Sequence, residues 1–426
     1  MKKIVKNKES ILSKREKKLA YFLILPTIFL VLSIVIIPLL ANFWISFKPI
    51  SLEDLRPPKL ILKENIKNKL SSINDFAEIQ YKYRNSSSKY NLDNVVFSDL
   101  LPKGISVTNI KSKHECSVEK FTLICKLGII EPKYSGKVIV TITKNENWNM
   151  KDHPRINKPI ASFISTNILT SLEFTFQNFK KIFSVSEFWE VLKVSIYYTV
   201  FGTAGALLIG MFTAQIVNKS FKGRPFIRGL LLFPYVSPVI AVAFSWVILF
   251  DPYSGIVNSL LIQMEVIEKP INFFGQKYTP ISVFGYEFNF PLALSMVIIF
   301  EIWRYFPLSF LFILARIQSI PQDIYEAAEI DGATPLQQFY YLSIPFLIGI
   351  IAVLFLLRFI WTFNKFDDIF LLTGGNAGTR TLTVNVYEQA FAISNLGAGA
   401  AVAVVIFIFL LVFSVIFIKF SKKEAM

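Results

Sequence analysis

Six stretches of this chain stay apolar for long enough to cross a bilayer, which takes about 20 residues of helix. They are Leu19–Phe47, Val191–Val217, Phe226–Phe250, Pro291–Ala315, Phe346–Phe363 and Ala398–Phe420. Arg358 interrupts the fifth. Pro234 and Pro238 fall inside the third, where they can break the helix and free carbonyls to line a cavity. The polar stretches set the organisation. Residues 1–18 form a basic terminus, 19–47 the first span, 48–170 an insertion, 171–420 a core with five further spans, and 421–426 a tail.

The insertion is rich in Lys, Asn and Ser. Its first part, through about Ser88, shows no clear period and reads as a stalk or loop. After it come short β-branched runs separated by Gly, Pro, Asn and Lys: NVVFSDLLPKGISVTNI, CSVEKFTLICKLGIIEP and KVIVTIT. These predict a β-sandwich over about 89–147, set into an otherwise all-α membrane protein. Val138, Val140 and Ile142 share one face, opposite Ile139, Thr141 and Thr143. Cys116 and Cys125 can meet across a turn near Glu119–Lys120. An oxidising compartment favours a disulfide there over two free buried thiols.

Composition agrees with the membrane reading. The 426 residues are 53% hydrophobic and include 42 Phe, and the mean hydropathy is +0.49. The net charge of +15 is distributed by topology. Residues 1–18 carry eight Lys or Arg, Lys219–Arg228 four, and 419–426 three, all on one side of a six-span chain. The loops 251–290 and 364–397 carry two each. That is the positive-inside pattern, so both termini are expected in the cytoplasm. The first span is too long for a signal peptide and no cleavage site follows it, so it is expected to be retained. No GxxxxGK[ST] loop, no metal-ligand spacing and no catalytic constellation is present, so no cofactor is expected in this chain.

One stretch breaks the basic pattern. Tyr325–Phe339, YEAAEIDGATPLQQF, has Glu326, Glu329 and Asp331 and no Lys or Arg. Ser319 can cap a helix with Pro321 in its first turn, and Asp323 and Glu326 suit its positive end. Ala327 and Ala328 leave a low surface that another protein can approach closely. Gly332 ends that helix. Thr334, Pro335 and Gln337 start a second one, which runs to Pro345, where the fifth span begins. The expected product is a short helix-turn-helix over 319–345. Lipid-surface helices are usually basic, and an acidic pair repels nucleic acid, so docking to a soluble protein is the favoured reading.

The segment IPQDIYEAAEIDGATPLQQFYYLSIP resembles the E-A-A-x(3)-G-x(9)-I-x-L-P coupling motif of ABC importer permeases, in the form found in the carbohydrate-uptake, maltose-type family. Glu326, Ala327, Ala328, Gly332 and Pro345 match, while Leu342 and Ile344 exchange the usual Ile and Leu. The likeness continues through FQNFKKIF, RGLLLFPYVSPVIAVAFSWVILF, FNKFDDIFLLTGG and VYEQAFAISNLGAGAAVAVV, about Ser171 to Phe420. After LTGG, family members often continue with Gly-Pro, where this chain has Asn376-Ala377. The resemblance implies a bacterial inner-membrane permease subunit that meets an ATPase through Glu326, Ala327, Ala328, Asp331, Gly332 and Pro345. Glu326 would be the polar anchor and Gly332 the orienting turn. It also implies a second permease subunit, two copies of a cytoplasmic ATPase that binds ATP and Mg, and an external solute-binding protein. The cargo would be a sugar such as maltose or trehalose, or else glycerol phosphate. Residues 89–147 resemble bacterial surface repeats of immunoglobulin-like fold, through D-x-L-P-x-G, the Cys pair with x-L-G, and V-x-V-T-I-T.

Polar groups inside spans are costly and face a cavity or a partner. Glu301 and Arg304 lie on one face of span four and can pair, either as a structural lock or along a substrate path. Arg358 and Trp361 share a face of span five, with Asn364 at its outer end. Tyr235, Trp246, Trp303 and Trp361 offer planes for a sugar ring or simple packing. Two rivals stand beside the importer. A membrane anchor displaying the β-domain leaves the acidic segment unexplained, and a channel or secondary transporter predicts inverted repeats and no ATPase partner.

Overall fold

The computed structural model describes residues 11–67, 75–101, 104–145, 158–184, 186–283 and 286–421. Pro102 of the D-x-L-P-x-G run and the basic residues of 1–10 and 422–426 lie outside these. The chain divides into a β unit, 47–175 with 394–397, and a helical unit made of the rest.

The β unit has strands β1 (Leu60–Lys67), β2 (Phe76–Asn85), β3 (Leu92–Leu100), β4 (Ile105–Lys111), β5 (Glu115–Glu119), β6 (Thr122–Ile130), β7 (Ser135–Lys144) and β8 (Ile160–Ser165). They form two four-stranded antiparallel sheets, β1-β2-β7-β4 and β5-β6-β3-β8. Ile79, Tyr81, Val138, Val140 and Ile142 from the first sheet share one buried core with Leu92, Val95, Phe97, Leu123 and Cys125 from the second. Asp99 lies in that core and accepts a 2.5 Å hydrogen bond from Tyr81 Oη. Burial raises the Asp99 pKa, against the opposing pull of its hydrogen bonds. Cys116 pairs with Cys125 in register across the β5–β6 hairpin, and their sulfurs are bonded. Lys120 and Phe121, both at positive φ, form its turn.

Two expectations need correction. Residues before Ser88 are not a loop, because β1 and β2 lie there. FAEIQYKYRN buries Ala77, Ile79, Tyr81 and Tyr83 at alternate positions, with Gln80 also buried between them, and this inward set is mostly not β-branched. The β structure thus extends from Leu60 to Ser165, beyond 89–147, with β8 closing the second sheet on β3.

The helical unit begins with α1 (Ile11–Val31), which passes through a π-turn at Leu32–Ile36 into α2 (Ile37–Ser46). After α3 (Gln177–Ser184), α4 (Ser186–Asn218) is the longest helix. Then come α5 (Arg224–Leu231), α6 (Phe233–Val236), α7 (Val239–Leu249) and α8 (Ile256–Gln263). A hairpin of β9 (Thr279–Val283) and β10 (Tyr286–Phe290) precedes α9 (Leu292–Gln318). The chain continues with α10 (Gln322–Ile330), α11 (Pro335–Gln338), α12 (Ile344–Phe363), α13 (Asp367–Thr373), α14 (Leu382–Tyr387) and α15 (Leu396–Ser421). Five helices among the described residues are long and apolar enough to cross a membrane. The third expected span is instead a pair, α5–α6 and α7, bent by 90° at Ser237-Pro238. Proline cannot continue the backbone ladder, so the break falls where Pro238 stands.

Helices α4 and α9 pack through small residues. A Cβ on Gly210 would lie 2.6 Å from Ser309 Cβ and 2.8 Å from the Phe310 nitrogen, and one on Gly202 would lie 2.9 Å from Glu301 Cγ. In lipid, where apolar association gains nothing over lipid contact, such close approach is what binds helices. Gly210→Val should therefore destabilise the helical unit by about 1–3 kcal/mol or more. Thermal unfolding in detergent should show a lowered midpoint for it. Gly349→Val, at a position with open space around the Cα, should leave the midpoint unchanged.

Candidate functional site

A charged network lies where α4, α9, α12 and α13 converge. Glu301 of α9 is fully buried and accepts three hydrogen bonds. Tyr198 Oη of α4 donates at 2.9 Å to Oε2. Thr362 Oγ1 at 2.9 Å and Arg358 Nη2 at 2.5 Å, both of α12, donate to Oε1. A buried carboxylate needs this many donors, because each unsatisfied polar group costs several kcal/mol in an apolar medium.

Tyr305 is the second centre. The Arg358 guanidinium lies 4.4 Å from its ring centroid and Lys365 Nζ 4.3 Å, and Lys365 also donates to the phenol oxygen. Arg304 Nε donates to the same oxygen at 3.3 Å. Asp368 of α13 lies 3.7 Å from Lys365 Nζ and 4.0 Å from Arg304 Nε. Arg304 Nη1, Arg358 Nε and both Asp368 carboxylate oxygens have no hydrogen-bond partner among the described residues. The site thus holds unused donors and acceptors in an apolar surrounding, which suits a ligand bearing hydroxyl or anionic groups.

The bent third span reaches this network. Arg228 Nη2 donates to the Val217 carbonyl at 3.2 Å, at the end of α4. With its amide turned to face them, Gln318 at the end of α9 accepts from Arg228 and Arg224 at 2.8 and 3.1 Å. Eleven residues after Arg224, Tyr235 of α6 meets Tyr305 edge-on, with centroids 6.0 Å apart. The break at Ser237-Pro238 follows directly, so interrupted backbone sits beside the charges.

The sequence paired Glu301 with Arg304, and the structure does not. Glu301 binds Arg358, 57 residues further on, while Arg304 turns toward Asp368. Three residues along a helix leave the side chains about 60° apart, enough for each to meet a different neighbour. Trp361 is 51% exposed and does not share Arg358's buried position. Asn364 donates to the Ile360 carbonyl at 2.8 Å, at the end of α12. Trp246 and Trp303 pack against each other at a tilt, and Trp246 meets Phe300 edge-on. The network also enlists Tyr198, Tyr305, Thr362, Lys365 and Asp368, which sequence reasoning missed. The run FNKFDDIF held a signal for two of them, since Lys365 and Asp368 are three apart.

At the far end of α9, α10 and α11 form a compact knob. Ser319 does not cap α10. Its nitrogen and hydroxyl both bond to the Arg316 carbonyl and close α9, and Pro321 takes the cap position. Gly332, at φ +80°, ends α10. The Gly332 nitrogen donates to the Glu329 carbonyl and the Ala333 nitrogen to that of Ala328, a paired closure that needs the left-handed residue. Thr334 and Gln337 form a reciprocal capping box on α11. The second helix does not stop at Pro345. It passes through a π-turn at Phe339–Ser343 into α12, making one element from Pro335 to Phe363. Pro345 lacks the N–H that would bond to residue 341, and the wider turn absorbs that loss.

Tyr325 Oη lies 2.9 Å from Ser343 Oγ, and Gln338 Nε2 donates to the Ala333 carbonyl at 3.3 Å. The first bond ties α10 to the turn at the base of α12, and the second ties α11 to the turn that follows α10. Glu326, Ala327 and Asp331 are exposed and Ala328 is half-buried. Ile330 and Leu336 are 87% and 78% exposed on the same small knob. Asp323, Glu326, Glu329 and Asp331 have no cation within 4.0 Å among the described residues. Large apolar side chains thus stand exposed beside unpaired acids on one small element.

Removing Arg358 alone leaves Glu301 charged and under-satisfied. Arg358→Leu should cost about 3–5 kcal/mol. The double variant Glu301→Leu with Arg358→Leu should recover much of that loss, because no unpaired charge remains. A double-mutant cycle on thermal unfolding in detergent measures the coupling directly.

The family described as "Binding-protein-dependent transport system inner membrane component" matches residues 206–423. The inner membrane ABC transporter permease protein YcjO of Escherichia coli (strain K12) is 34% identical over 57% of this chain and 79% of its own length. The trehalose/maltose transport system permease protein MalF of Thermococcus litoralis is 33% identical, over 52% of this chain and 69% of its own. A solved bacterial ABC transporter involved in import of the acidic polysaccharide alginate shares the fold. Its TM-score is 0.53 at 20% identity, over 60% of this chain and 85% of that one. The likeness of 89–147 to immunoglobulin-like surface repeats gains no support, since the family match begins only at residue 206. The chain is a multi-pass permease and belongs to the family of inner membrane components of binding-protein-dependent transport systems.

Proposed function

We propose that this chain is the permease subunit of an ATP-driven importer whose cargo is a di- or oligosaccharide. The observation that carries this reading is the continuity of one element. The helix from Pro335 to Phe363 starts in the exposed acidic knob and bears Arg358 and Thr362 of the buried network. A cytoplasmic ATPase, two copies of it binding ATP and Mg, would grip the knob through Glu326, Ala327, Ala328 and Asp331. Its closure would tilt α12 and shift Arg358 against Glu301 of α9 and Tyr198 of α4. That changes which side of the membrane reaches the network. Transport then follows if cargo and nucleotide each favour one of the two arrangements. A second permease subunit would complete the path, and an external solute-binding protein would deliver the cargo. The inserted β unit stands on the external side in the positive-inside reading and would help to hold that protein.

Names of relatives favour sugars, among them the trehalose/maltose and alginate systems. The network suits them, with the Tyr305 plane beside hydrogen-bonding groups with free capacity. Arg304, Arg358 and Lys365 favour a second reading, an anionic polyol such as glycerol phosphate.

Glu326→Lys tests the coupling. It reverses an exposed, unpaired charge and leaves the fold intact. In proteoliposomes with the ATPase and loaded binding protein, uptake should fall by about tenfold or more, equal to about 1.4 kcal/mol or more of coupling. The amount of chain in the membrane should not change. Parental uptake by this variant would remove Glu326 from the mechanism.

A further inference from the structure

Three lysines stand in one row across the sheet β1-β2-β7-β4. Lys63 of β1 lies opposite Lys82 of β2, and Lys82 opposite Lys137 of β7. Arg84 follows two residues along β2, opposite Ser135. All four cations are exposed, on the face away from the core that Tyr81, Tyr83 and Val138 fill. Lys111 of β4, opposite Ile139, extends the same face. No carboxylate lies within 4.0 Å of Lys63, Lys82, Arg84 or Lys137 among the described residues. An open groove of about 740 Å³ runs between them.

Folding does not explain this row. Like charges directly opposite on neighbouring strands destabilise a sheet. Lysines do protect sheet edges from pairing with other chains. That accounts for Lys63 on the edge strand β1, but Lys82 and Lys137 lie on the interior strands β2 and β7. Solubility is served by mixed charges and does not require a single-sign row.

Spacing and residue type identify the ligand. Neighbouring strands lie about 4.8 Å apart, and alternate residues on one strand about 6.7 Å apart. The cations therefore form a grid that meets anionic groups recurring every 5–7 Å or so along a chain. Protein interfaces are depleted in Lys and rely on exposed aromatic anchors. The row is mostly Lys, and Tyr83, the aromatic nearest it, is buried. The geometry points to a binding site for a linear polyanion, an acidic polysaccharide with one carboxylate per sugar, laid along the outer face of β1, β2 and β7. This site rests on the β unit alone and is independent of what crosses the membrane.

The test uses the full chain in nanodiscs of phosphatidylcholine, with hexagalacturonate as the probe and maltohexaose as its uncharged counterpart. The chain should bind hexagalacturonate saturably, and an excess of maltohexaose should not displace it. Raising salt from about 50 to about 200 mM should weaken binding about tenfold or more. The combined variant K63E/K82E/K137E should weaken it by at least a similar factor, while Lys82→Arg, which keeps the charge and checks the fold, should bind like the parent. Three results would overturn the proposal. One is parental binding by the triple variant. Another is tighter binding to a polyglutamate peptide, which would mark a protein partner. The third is binding to the discs themselves only when they contain phosphatidylglycerol, with no affinity for the uronate, which would mark a lipid surface.

Discussion

A carboxylate with no route to water has to be satisfied by the protein around it. Glu301 meets that demand with a tyrosine from α4 and an arginine and a threonine from α12. Those bonds fix the relative positions of three long helices. Glycines on α4 bring its backbone close to α9, one of them against the Glu301 side chain itself. The charges of Arg358, Arg304 and Lys365 then gather around Tyr305, and Asp368 brings α13 into the same arrangement. In the proposed cycle a fold held this way changes state by exchanging partners within the network, which then serves as a point of control as well as of cohesion.

The knob gives that control a handle. Pro335 to Arg358 is 23 residues along one continuous element, about 35 Å at 1.5 Å per residue. Helices transmit displacement well over such a length. The Tyr325–Ser343 contact and the Thr334 capping box keep the knob from swivelling on its base. The π-turn at Phe339–Ser343 keeps the element continuous past Pro345, whose missing N–H would otherwise interrupt the ladder.

What the sequence made legible was local. The apolar lengths located the spans, because lipid thickness sets a fixed length for them. Gly332, Thr334, Pro335 and Gln337 announced the knob, because turn and cap chemistry depends on neighbours a few residues away. The alternation in KVIVTIT placed Val138, Val140 and Ile142 together for the same reason. Tertiary relations were hidden. Nothing near Glu301 tells that its partner lies 57 residues on, and proximity along the helix points to Arg304 instead. Strand β2 was missed because Tyr81 and Tyr83 carry polar tips on apolar bodies and do not read as inward residues. Ser319 could end one helix as well as start the next, and only the geometry of α9 decides between them.

The central claim is that α12 works as a stiff lever between the knob and the network. Replacing Tyr340 and Tyr341 with glycine tests it most directly. Both side chains are exposed, so the change softens the helix by about 1 kcal/mol per residue and leaves the buried packing in place. ATP hydrolysis and cargo uptake would be measured on the same proteoliposomes. The account predicts that hydrolysis persists while uptake per ATP falls by about tenfold. Unchanged uptake per ATP in this variant would contradict it.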